Sequence, residues 1–150
     1  MQYIVSWLDP CFPKIMENTA SPIHVQASYK MKALVVDDSE GVRESLSVLL
    51  KRRGIRPVMA GNAGAAMERF LEEDFDLIVT DLDMPGTNGL ELIRWIRIRR
   101  PFLPVIIVSG NPPGDMDSEA ALPTTNFVRE PFGVKNLDAA LWAILRQFCG

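Results

Sequence analysis

Two apolar runs in this chain end in carboxylate. "LVV" (Leu34 to Val36) leads straight into Asp37 and Asp38, and "LIVT" (Leu77 to Thr80) leads into Asp81, Leu82 and Asp83. A third run, "VIIV", ends in Ser109 and Gly110, and a fourth, "TNFV", leads into Arg129 and Glu130. Carboxylates brought together at strand ends repel one another, and without a partner their charged forms are disfavoured. A hard divalent cation resolves the repulsion. Oxygen ligands with no histidine or cysteine suit Mg²⁺, which keeps several waters and commonly works beside phosphate. The plainer alternative is a set of separate, solvated aspartates, and the doublet with a distant singlet is the feature that speaks against it.

What would gather these residues is a parallel sheet. From Met31 onward, β-rich runs occur at "ALVVD" (Ala33 to Asp37), "RPVMA" (Arg56 to Ala60), "FDLIVTD" (Phe75 to Asp81), "PVIIVSG" (Pro104 to Gly110) and "TNFV" (Thr125 to Val128). The stretches between them carry apolar residues at helical spacing. Val42, Leu46, Leu49 and Leu50 share one stripe, with Arg43, Lys51 and Arg52 free to face water; Ala63, Ala66, Met67 and Phe70 form the second. The third runs from Gly89 to about Arg99 with Leu92, Ile93 and Ile96 inward, and the last from about Val134 to Phe148 with Leu137, Leu141, Ile144, Leu145 and Phe148. Between them "NPPGDMDSEAALPTTN" leaves only about two turns of helix, around Met116 to Leu122, because prolines bound it. Strands that are nearly all apolar imply cover on both faces, hence an α/β fold: a (βα)5, doubly wound, five-stranded parallel sheet in a three-layer, flavodoxin-like sandwich. Ligands bind such sheets outside the carboxyl ends of the strands, where the strand order reverses.

Length and charge set the remaining bounds. At 150 residues, 47% of them hydrophobic, the chain is expected to form one domain over 31–150, preceded by an extension over 1–30. That extension, with Pro10, Pro13 and Pro22, is either a loosely ordered leader or an arm that packs through Ile4, Trp7, Leu8, Phe12 and Ile15. A net charge of -3 gives no general attraction to nucleic acid or an anionic membrane. Cys11 and Cys149 have no CxxC spacing that would signal zinc or a disulfide framework. Apolar runs far shorter than about 20 residues, and no secretory signal, make the cytoplasm the expected location. "GNAG" (Gly61 to Gly64) reads as a turn into a helix, and "RWIRIRRP" (Arg94 to Pro101) as the wet side and C-terminus of one. Trp95 and Trp142 are plausible partner contacts, and His24 has no ligand-spaced companion.

Taken in order, "LVVDDS", "DLIVTDLDMPGTNGLEL", "VIIVSG" and "FVREPF" resemble the receiver domain of two-component response regulators, the CheY-like family, over about Met31 to Phe148. The resemblance implies that Asp81 accepts a phosphoryl group from a phosphohistidine of a sensor histidine kinase or histidine phosphotransfer protein. It implies Mg²⁺ held at Asp81, by Asp38 directly, by Asp37 directly or through water, and by the Asp83 main-chain carbonyl. The Asp83 side chain would lie beside the phosphate, where the family tunes hydrolysis. Ser109 would take the hydroxyl position that hydrogen-bonds the phosphoryl oxygen, with Gly110 leaving it room, and Phe127 the aromatic position that turns inward when the hydroxyl moves. Such a protein has at most self-phosphorylation and autodephosphorylation chemistry, and signals to a downstream effector protein. With no output domain after the last helix, the expectation is a regulator acting through protein contacts, homodimer formation included, or an excised piece of a larger kinase or transcription factor.

One position departs from the family pattern. Receivers carry lysine immediately before the proline here numbered Pro131, and this chain has Glu130. Phosphorylated Asp81 at about -2, two aspartates at about -2 and Mg²⁺ leave about -2; lysine would bring that to about -1, an inward glutamate to about -3. Three outcomes are open: Arg129 reaches the phosphate instead, Glu130 turns to solvent, or phosphorylation is vestigial and the chain is a protein-interaction module. A haloacid-dehalogenase-like phosphatase, faintly suggested by "DLD", is disfavoured by the position of the doublet.

Overall fold

The computed structural model describes residues 31–86, 88–110 and 124–147. Five apolar runs become the parallel strands β1 (Met31–Val36), β2 (Ile55–Ala60), β3 (Leu77–Thr80), β4 (Val105–Ser109) and β5 (Thr125–Arg129). They lie in the order β2-β1-β3-β4-β5. Helices α1 (Glu40–Arg52), α2 (Ala63–Glu72), α3 (Gly89–Arg99) and α4 (Val134–Gln147) connect or close them. The extension over 1–30 and the short helical stretch expected around Met116 to Leu122 lie outside the described residues, as do Cys11, His24, Phe148 and Cys149.

The alternation that a two-faced sheet requires is visible residue by residue. Leu34, Val36, Ile78, Val105 and Ile107 point into one core with Ala66 of α2 and Leu92, Ile93 and Ile96 of α3. Ala33, Val35, Leu77, Val79, Ile106 and Val108 point into the other, against Leu46 and Leu50 of α1 and Leu137, Leu141 and Ile144 of α4. Burial on both faces holds for the three central strands; the outer strands β2 and β5 keep exposed residues, because each has a neighbour on one side only. Pro57 sits in the edge strand β2, where a residue without an N–H is tolerated.

Local chemistry starts the helices at the carboxyl end of the sheet. Ser39 caps α1 by accepting from Val42 N, Asn62 caps α2 at Ala65 N, and Asn88 caps α3 at Glu91 N. Glu40 at the start of α1 and Lys51 and Arg52 at its end match the helix dipole. Gly54, at a φ of 72°, makes the turn from α1 into β2. In the basic run on α3, Arg94, Arg99 and Arg100 are exposed, as the wet side of a helix requires. Arg97, expected on the wet side, is half-buried: it donates to Thr124 and Thr125 at the start of β5, each at 2.8 Å. Arg99 stacks 3.7 Å over Trp95, which also meets Phe70 edge to face. Those contacts leave Trp95, a plausible partner contact by sequence, half-buried.

Gly89 begins α3 against the main chain that follows β3. A Cβ at this position would lie 2.0 Å from the Asp81 carbonyl oxygen and 2.9 Å from the Leu82 Cα, so backbone would have to move. Gly41, exposed in α1, has only Ser39 Oγ near its Cβ position, at 3.9 Å. Two substitutions of the same kind should therefore have opposite signs in urea unfolding. Gly89→Ala is expected to cost about 3 kcal/mol by overpacking, and Gly41→Ala to add about 0.5–1 kcal/mol through helix propensity.

Candidate functional site

The sheet places its polar residues at one edge. The chain moves outward from β1 to β2, then returns to lay β3 on the other side of β1, so the strand order reverses between β1 and β3. Asp37 and Asp38 follow β1 and Asp81 follows β3, flanking that crevice. One carboxylate oxygen from each of the three lies within 4.8 Å of the others. Asp37 is buried, Asp81 half-buried and Asp38 exposed, so the group opens to solvent on one side.

Main-chain donors aim these side chains. Asp37 Oδ1 accepts from Ser39 N at 2.9 Å, and Asp81 Oδ1 from Asp83 N at 3.2 Å. Thr80 Oγ1 donates to the Asp81 carbonyl at 2.9 Å, and Asp81 N to Val36 O at 3.0 Å, which ties the end of β3 to the end of β1. Ser109 is fully buried at the end of β4, and its hydroxyl donates to Asp83 Oδ2 at 3.3 Å. A Cβ at Gly110 would meet no described atom within 4 Å. Phe127 of β5 is half-buried against the α2 and α3 side of the sheet.

Glu130 turns inward. Its Oε1 is buried with no hydrogen-bond partner among the described residues, so this structure does not show the glutamate pointing to solvent. Arg129, at the adjacent position, is exposed, as the alternation of strand faces requires. Glu130 N donates to Ser109 O at 3.0 Å, and the Glu130–Pro131 peptide is cis. Crowding of charge follows. Burial first, then Asp81, Asp38 and Asp83, push the Glu130 carboxyl above its ordinary range. Burial also raises Asp81, opposed by the Asp83 and Leu82 N–H groups. Asp37 is raised from 3.8 to about 6, by burial above all and then by Asp81, Glu130 and Asp38, against the lowering effect of the Ser39 N–H. An all-oxygen group whose members disfavour one another's ionisation fits a hard divalent cation.

The expected residues thus converge: Asp37, Asp38 and Asp81 in one group, Asp83 and Ser109 bonded beside it, Glu130 facing in. Arg43, read as free to face water, is half-buried and reaches back to the Asp37 carbonyl at 2.7 Å. The available signal was its place near the start of α1, since helical side chains lean toward the N-terminus.

Comparison with known proteins agrees with this geometry. Residues 33–141 match the response regulator receiver domain family. The transcriptional regulatory protein FixJ of Azorhizobium caulinodans is 35% identical over 117 residues, which are 77% of this chain and 54% of FixJ. The chain thus spans about half of FixJ, and less of several other curated relatives. Among solved structures, chemotaxis protein CheY4 of Vibrio cholerae superimposes with a TM-score of 0.70 at 26% identity, covering 76% of this chain and 98% of that one. The response regulator TrrA of Thermotoga maritima, solved in complex with Mg²⁺–BeF, gives 0.68 at 26% identity, covering 76% and 98%. Among the described residues, no helix is long and apolar enough to cross a membrane.

A pH dependence follows from Asp37. The folded chain holds its proton up to about pH 6, whereas an ordinary aspartate releases it near 3.8, so between these values the folded state binds more protons. Stability of the metal-free protein should fall as pH rises through that window and level off above it. Thermal melts in EDTA, wild type against Asp37→Asn, are expected to show a steeper fall in the wild type, since Asp81 and Glu130 are raised as well. Added Mg²⁺ should raise the wild-type midpoint more at pH 7 than at pH 5.

Proposed function

The chain belongs to the response regulator receiver family, and on that premise we propose that it accepts a phosphoryl group from a phosphohistidine onto Asp81 with Mg²⁺, and signals through protein contacts. The observation that carries the reading is the convergence of Asp37, Asp38 and Asp81 at the switch point of the sheet, with Ser109 bonded to Asp83 beside them. Residues 31–150 would be the receiver and 1–30 an extension of it. The donor would be a sensor histidine kinase or histidine phosphotransfer protein, the listener a downstream effector, and the location the cytoplasm.

In the step itself an Asp81 carboxylate oxygen attacks phosphorus. The O–P bond forms as the N–P bond of the donor breaks, the electron pair stays on the imidazole nitrogen, and that nitrogen takes up a proton from water. A carboxylate is an adequate nucleophile where position and charge are arranged for it. Asp83 N, 3.2 Å from Asp81 Oδ1, orients the attacking group. Asp38, Asp37 directly or through water, Asp81 and the Asp83 carbonyl would hold Mg²⁺, which when bound neutralises oxygen charge and favours in-line approach. After transfer, Ser109 would give up its bond to Asp83 and donate to a phosphoryl oxygen, and Phe127 would follow it inward. That exchange is a two-state element biased by a new acceptor.

Glu130 favours a second reading. A carboxylate oxygen buried with no partner among the described residues, where the family places an ammonium, opposes added negative charge. On this reading the fold serves as a phosphorylation-independent interaction module. Incubation with a small phosphodonor and Mg²⁺, followed by intact mass, separates the two. The wild type is expected to gain one phosphoryl adduct that Asp81→Asn lacks; no adduct under conditions that label an ordinary receiver would overturn the first reading. Glu130→Lys should lengthen the adduct lifetime about tenfold, equivalent to ~1.4 kcal/mol in barrier. An unchanged lifetime would make the glutamate a bystander.

A further inference from the structure

Asp37, the first aspartate of the doublet, is held at three points, one of them the carbonyl of the peptide that joins it to Asp38. Asp37 N donates to Ala60 O at 3.3 Å, Ser39 N donates to Asp37 Oδ1 at 2.9 Å, and Arg43 Nη1 donates to the Asp37 carbonyl at 2.7 Å. The arginine bond is the shortest of the three and the one made by a side chain. Arg43 is half-buried, and its guanidinium lies over Gly61, where a Cβ would be 3.4 Å from Nη1. The grip thus closes the space between the ends of β1 and β2.

Its target is a carbonyl rather than a carboxylate. The influences that dominate the Asp37 carboxyl are burial, the Ser39 N–H and the neighbouring acids, and Arg43 is not among them. What the bond does control is the plane of the Asp37–Asp38 peptide. That plane sets where the Asp38 side chain begins, and Asp38 is the exposed member of the group, with no side-chain hydrogen bond among the described residues to aim it. Asp37 is aimed by the Ser39 N–H; Asp38 depends on its backbone.

We propose that Arg43 is a positioning residue for the divalent cation: by holding the Asp37 carbonyl it aims Asp38 so that the doublet and Asp81 converge on one ion. The inference rests on the Mg²⁺ reading given above. Residues that orient metal ligands from outside the coordination sphere typically alter affinity by about 10–100-fold when removed.

Calorimetric titration of the full chain with Mg²⁺ alone tests it. Arg43→Met is expected to weaken binding about 10–100-fold, and Arg43→Lys, which keeps one donor, to recover part of the loss. The discriminating readout is a double-mutant cycle with Asp38→Asn. If Arg43 works by aiming Asp38, Arg43→Met should cost little further affinity once that carboxylate is gone; a merely structural role would cost the same in both backgrounds. Thermal melts in EDTA establish that each variant is folded. Should Arg43→Met fail to fold, Gly61→Val displaces the guanidinium by crowding it and is expected to weaken binding in the same way. Wild-type affinity in folded Arg43→Met, or an undiminished loss in the Asp38→Asn background, overturns the proposal alone. A wild type that binds no Mg²⁺ overturns the metal reading and this inference with it.

Discussion

Mutual repulsion among carboxylates is the constraint around which the rest of this molecule is arranged. A parallel sheet brings every strand to an end on the same edge, and here that edge gathers Asp37, Asp38, Asp81, Asp83 and Glu130. Burial adds to the difficulty, since Asp37 and the Glu130 Oε1 are withdrawn from water that would otherwise screen them. No local preference of the chain would choose this arrangement. It persists because the two cores on either face of the sheet, filled by alternating residues of β1, β3 and β4, determine where the strands stop.

The surrounding polar contacts respond to that crowding. Ser39 N, Asp83 N and the Thr80 hydroxyl each meet an oxygen of the group or of its main chain, and Arg43 grips the doublet from behind. These bonds fix direction more than they offset charge. Full relief needs a positive charge from outside, which is why the geometry suits a cation. Glu130 pulls the other way. In a family that this chain joins on residues 33–141, it makes the edge more acidic than the shared pattern.

How much of this was legible depended on whether a residue's role is set locally or by the sheet. The central strands and the aspartates that end them could be read because an apolar run closing on carboxylate has few other uses. Ser109 and Phe127 could be placed by resemblance. The edge strands were read as β runs beside the central ones, but their partial cover was not, since it depends on position in the sheet. Arg43 and Arg97 looked like solvated helix residues; each reaches across to another element, a contact that helical periodicity does not encode. The direction of Glu130 was open for the same reason. Strand alternation separates it from Arg129 but does not say which of the two faces the acids.

The missing methyl group at Gly89 has a mechanical meaning. Side chains that separate two elements act as soft spacers, able to change rotamer and absorb a small displacement. Between the main chain of Asp81 and α3 there is no such spacer: main chain rests on main chain, and Gly89 N bonds to Leu82 O at 3.0 Å. Close-packed contacts of this kind are stiff. The backbone beneath Asp81 and the first turn of α3 are therefore coupled as one rigid joint, with a compliance set by peptide geometry rather than by side-chain freedom.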